Sequence, residues 1–144
     1  MVRYIMTALA VGMLVAAQDA TKDKAELQGS WRAISSERDG QVQEDARDHL
    51  LIFAGDTLTI KKGDQVFAKG TFTLDATQSP KTIDLKITAG PVEQGKDVKA
   101  HGIYELRAGT LRWCSARPGG EERPKQFTSK EGPGHLMVTL KKEK

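Results

Sequence analysis

The chain has 144 residues, 38% hydrophobic and 28% charged, with a formal net charge of +3. That length suits one domain with one core. The mild, sign-mixed charge shows no basic stripe with interleaved aromatics, which argues against nucleic acid as a partner, and the single cysteine excludes an internal disulfide.

The N-terminus differs in character from the rest. Arg3 gives a positive start, an apolar run extends from Tyr4 to Val15, and Ala16-Ala17 ahead of Gln18 suit signal-peptidase cleavage. The run is shorter than the about 20 residues that a membrane span needs. A cleaved signal peptide is expected over residues 1–17, the alternatives being a membrane anchor or an internal helix. No cysteine stands at the cleavage point, so a lipidated N-terminus is not expected. Export to the periplasm or the extracellular space follows, with no stable membrane anchor after cleavage. Residues 18–26 read as a charged, helix-tolerant and flexible linker, and residues 27–142 as the domain.

Trp31 opens a strand that runs to about Glu37, and Asp39-Gly40 turns it. Gln43 to Asp48 is polar and suits one helical turn across one end of the domain. Leu50 to Ala54 and Thr57 to Lys61 form a hairpin around Gly55-Asp56, with Phe53 facing Leu58 and Leu51 facing Ile60. After a turn at Lys62-Gly63-Asp64, the next strand carries Val66, Ala68, Gly70, Phe72 and Leu74 on one face. Phe67 breaks the polar face, and Gly70 in mid-strand predicts a bend or bulge. Asp75 to Lys81 is a loop. Thr82 to Thr88 alternates, with Ile83, Leu85 and Ile87 inward, and Ala89 to Val98 is a second loop.

His101 to Ser115 is the firmest signal. A loop of even length centred on Ala108-Gly109 sets Leu106 against Leu111, Tyr104 against Trp113 and Glu105 against Arg112. Each such cross-strand pair contributes about 0.2–1 kcal/mol. An odd loop scatters the apolar set. A two-residue turn needs a positive φ at Ala108, so a four-residue loop remains an equal alternative. Ala116 to Pro124 is a further loop, Gln126 to Ser129 a short strand around Phe127, and Leu136, Val138 and Leu140 alternate in a closing strand. The pattern is all-β: an antiparallel up-and-down β-barrel of about eight strands, which leaves no open edge.

Gly29-Ser30-Trp31 resembles the Gly-x-Trp entry of lipocalins. A wider set comprises Leu27 to Trp31, Pro80 to Leu85, Gly102 to Leu106, Gly109 to Arg112, Cys114, Arg123-Pro124 and Gly134 to Lys141. It resembles an uncharacterised family of small exported lipocalin-like domains found mainly in planctomycete bacteria. The resemblance covers about Leu27 to Lys142. It implies a lipocalin-like barrel, an extracytoplasmic setting and structural roles for Gly29 and Trp31, but brings no established activity and no catalytic residues. In lipocalins a basic residue of a late strand commonly packs on the entry tryptophan, which implies Lys141 or Arg123 over Trp31.

An eight-stranded barrel is just wide enough to be filled by side chains or to hold one small ligand. One reading is therefore a calyx for a small hydrophobic ligand, lined by Phe53, Phe72, Tyr104 and Trp113. The last two offer flat apolar faces with a polar handle. The alternative is a filled barrel that meets an exported protein partner, as an interaction or inhibitor module, through the loops Asp75 to Lys81, Ala89 to Val98 and Ala116 to Lys125. Cys114, beside Ile103 on the face opposite Trp113, reads as a buried inert thiol, with a reactive thiol near Arg112 as the alternative. His49, His101 and His135 lack ligand spacing, so no metal is expected. No cofactor fingerprint and no catalytic motif such as Gly-x-Ser-x-Gly is present, and an enzyme is not expected.

Overall fold

The computed structural model describes residues 19–90 and 98–144; the expected signal peptide and most of the Ala89–Val98 loop lie outside them. The strands are β1 (Gly29–Arg38), β2 (Gln41–Val42), β3 (His49–Ala54), β4 (Thr57–Lys62), β5 (Gln65–Asp75), β6 (Thr82–Ala89), β7 (Val98–Arg107), β8 (Thr110–Ser115) and β9 (Leu136–Lys142). β2 only folds back on the end of β1, through Glu37–Val42 and Arg38–Gln41. The other eight strands form a ring, β1-β3-β4-β5-β6-β7-β8-β9, closed by antiparallel pairing of β9 with β1. The all-β barrel is thus the observed architecture. Most of its apolar side chains point inward and its outer wall carries residues such as Lys69, Thr71 and Lys86, the reverse of a membrane-spanning barrel.

Local chemistry sets the pairing. β7 and β8 join through a two-residue loop, with φ of 50° at Ala108 and 76° at Gly109, the signs a primed hairpin turn needs. That turn places Tyr104 opposite Trp113, Leu106 opposite Leu111 and Glu105 opposite Arg112. β3 and β4 pair Phe53 with Leu58 and Leu51 with Ile60. Gly70 sits at a register shift between β5 and β6, where a Cβ would stand 2.4 Å from the carbonyl oxygen of Lys86. Only glycine allows the strands to approach so closely there.

Two further bulges alter the alternation. Ile60 pairs with Ala68 but Lys61 pairs with Val66, so Phe67 is the extra residue and the strand changes phase. Val66 therefore faces out and is 53% exposed, which corrects its expected inward place. On β1, Ala33 pairs with Leu140 and Ser35 with Thr139, leaving Ile34 as the extra residue. Beyond it Ser36 and Arg38, opposite Val138 and Leu136, occupy the inward phase.

Two segments differ from expectation. The expected linker is helical over residues 19–27 (α1), and Leu27 at its end has no exposed surface. Alanine, lysine and glutamate favour the helix, and the barrel end supplies the contacts that hold it. Gln126 to Ser129 is not a strand. Residues 116–135 instead lie as an irregular cover over the outer faces of β7 and β8. The cover buries Ile103 and Cys114, and Arg123 fixes it by donating to the Gly102 carbonyl at 2.8 Å and pairing with Asp84 at 2.7 Å. Phe127 thus lies outside the barrel, 4.5 Å beneath the Arg112 guanidinium. The single helical turn expected between Gln43 and Asp48 is present as a 3-10 turn, Ala46–Asp48.

Candidate functional site

The two ends of the barrel are built from the same strands but from side chains of different size. At one end β1 contributes Trp31, β5 Phe72 and β7 Tyr104, all buried. Phe53 meets Phe72 edge to face, with ring centroids 5.2 Å apart. α1 seals this end. The Trp31 Nε1–H donates to the Leu27 carbonyl at 2.8 Å, and the Tyr104 hydroxyl donates to Asp23 Oδ2 at 2.7 Å. Lys81 pairs with the same carboxylate oxygen at 2.9 Å. Gln28 holds both backbone groups of Gly55, and Lys24 pairs with Asp56 in the β3–β4 turn.

Burial, and then the hydrogen bond to Asp23, push the Tyr104 phenol well above its ordinary pKa. The cation on the entry tryptophan is Lys142, not Lys141 or Arg123. Its Nζ lies 5.7 Å from the Trp31 ring centroid and donates to the Glu26 carbonyl at 2.8 Å. Gly29 opens β1 beside it with a φ of 113°.

At the other end the same three strands carry Ala33, Ala68 and Ala100 at inward positions. The space left by these short side chains is a cavity of about 310 Å³, walled also by Leu51, Leu85 and Trp113. It opens at a polar rim that includes Ser36, Arg38, Gln43, Asp45, His49 and Arg117. Asp45 pairs with Lys62 at 3.0 Å, and this contact holds its carboxyl below the ordinary range. Of the expected lining residues, Trp113 faces the cavity. Phe53, Phe72 and Tyr104 instead fill the sealed end.

The Trp113 indole lies over Gly102, where a Cβ would stand 2.6 Å from Nε1. That buried Nε1–H has no acceptor among the described residues. The rest of the wall is mostly apolar, with Phe67 and Ser115 beside the aliphatic side chains, so the cavity is an apolar cup with its charge at the mouth. Ala33 and Ala100 are the part that sequence reasoning passed over. Their signal was the alternation itself, which assigns Ala33 and Ala100 to the same face as Trp31 and Tyr104 two and four residues away.

The remaining candidates are not brought to the cup as a group. Cys114 lies under the outer cover, where its thiol donates to the Thr128 carbonyl at 3.3 Å and burial raises its pKa. Of the histidines, His49 sits at the rim, His101 contacts Asp84 on the outer wall at 2.8 Å, and His135 is buried near Gly132. Among the described residues no three His, Cys, Asp or Glu side chains are grouped as metal ligands would be. Nor is any described helix long and apolar enough to cross a membrane. No family model, no curated protein and no solved structure matches this chain.

Proposed function

We propose that the chain is an exported lipocalin-like module that holds a small hydrophobic molecule in the open half of its barrel. The observation that carries this reading is the unequal filling of one closed tube. Aromatic side chains pack one end, while alanines on the same strands leave a cup of about 310 Å³ at the other. That volume lies at the lower end of the roughly 300–1,000 Å³ of small-molecule sites, which are likewise mostly apolar with a few polar groups. Export is supported by the positive start and apolar run before Gln18.

The test is titration of the purified protein with a neutral solvatochromic dye such as Nile red. Wild type is expected to bind it with a blue-shifted emission. Ala100→Phe, which places a ring where the cup is widest in small residues, is expected to weaken binding at least about tenfold, as loss of apolar contact in a pocket does. Its circular dichroism and urea midpoint are expected to stay close to wild type. Equal dye binding by the two proteins, or none by wild type, would remove the reading.

A further inference from the structure

We infer that the occupant of the cup is a single-chain amphiphile with an anionic head, a carboxylate such as that of a fatty acid, whose head is held at the mouth by Arg38 and Arg117. This rests on the reading of the cup as a ligand site and adds the sign of the ligand's charge.

The bulge at Ile34 decides where Arg38 points. Regular alternation from Trp31 and Ala33 would put Ser35 and Glu37 on the inward face. The extra residue puts Ser36 and Arg38 there instead, opposite Val138 and Leu136. A glutamate at the mouth is thereby exchanged for an arginine. Arg117 arrives from the other side of the same seam. Its side chain lies against Gly134, at 3.1 Å from a Cβ position there, and the Gly134 N–H donates to Asp39 Oδ1 at 2.7 Å. Both arginines line the cup.

Asp45 is paired with Lys62, and Asp39 accepts the Gly134 N–H. Among the described residues neither Arg38 nor Arg117 has an ion-pair partner. Below them the wall is Ala33, Leu51, Leu85 and Trp113, with no charge. An apolar wall under two guanidinium groups without ion-pair partners among the described residues matches a chain that ends in a carboxylate, which arginine can bind through two N–H donors at once. A cationic head would be repelled, and a neutral one would gain nothing from either charge.

The experiment is displacement of Nile red from the full-length protein by decanoate, decanol and decyltrimethylammonium. Decanoate is expected to compete about tenfold better than decanol, on the order of one charge-assisted hydrogen bond in a half-wet site. Decyltrimethylammonium is expected to compete less well than decanol. In Arg38→Gln/Arg117→Gln the advantage of decanoate should vanish while decanol competes as before. Added salt should weaken decanoate and not decanol in wild type, a reading that needs no variant. Equal competition by decanoate and decanol in wild type would overturn the anionic head while leaving the cup intact. Retention of the advantage in the double variant would overturn the role of the two arginines. Failure of all three to displace the dye would overturn the cup and the head together.

Discussion

A methyl group at position 102 would stand 2.6 Å from the Trp113 Nε1 and 2.8 Å from the Cys114 carbonyl oxygen. Gly102→Ala is therefore expected to shift the indole and lower stability by about 1–3 kcal/mol in urea unfolding. Ala108 carries the opposite strain, since its φ of 50° suits glycine better. Ala108→Gly relieves about 1–2 kcal/mol of left-handed strain against about 0.4–1 kcal/mol of added freedom in the unfolded chain. A net gain of about 0.5 kcal/mol is expected in the same assay. Tyr104 links stability to pH. In the unfolded chain its phenol ionises near pH 10, whereas burial and Asp23 keep the folded one protonated well above that. Above pH 10 the unfolded state thus binds one proton fewer, and stability falls by up to about 1.4 kcal/mol per pH unit. Tyr104→Phe should flatten that alkaline limb relative to wild type and cost about 1.5 kcal/mol at neutral pH through the lost bond to Asp23. Parity explains what could be read at this scale. The alternation that turns Leu140 inward also turns Lys142, not Lys141, toward Trp31.

The hairpins were legible because both partners of each pair lie within about a dozen residues and the turn fixes their register. α1 was not, because its sequence has one apolar anchor, Leu27, amid charge. Its order comes from residues far along the chain: Lys81, Tyr104 and Lys142. Leu27→Ala, at a site with no exposed surface, is expected to cost about 2–5 kcal/mol in chemical unfolding. Phe127 misled for a related reason. An aromatic among polar residues reads as a short strand, yet its partner is the Arg112 guanidinium on the outer wall. The bulge at Phe67 left one trace, an apolar residue on the polar face, but its place, like that of the bulge at Ile34, is fixed only by what each residue faces across the sheet.

Closure of the sheet was readable from the number of one-sided strands, whereas the unequal filling of its two halves was not. That depends on which inward position falls at which height, and the strand stagger sets those heights. The two tryptophans report on the halves separately, since Trp31 sits under α1 and Trp113 in the cup wall. Occupation of the cup is expected to change the emission of Trp31→Phe, which keeps Trp113, and to leave that of Trp113→Phe nearly unaltered. The alanine tier has a longer-range implication. Residues that set the volume of the hollow are separate from the aromatic tier that secures the chain. Exchange of Ala33, Ala68 or Ala100 for glycine, serine or valine would resize or re-polarise the hollow while the far tier keeps its packing. Descendants of such a gene could change what the hollow admits by single codon steps without first acquiring a sturdier frame.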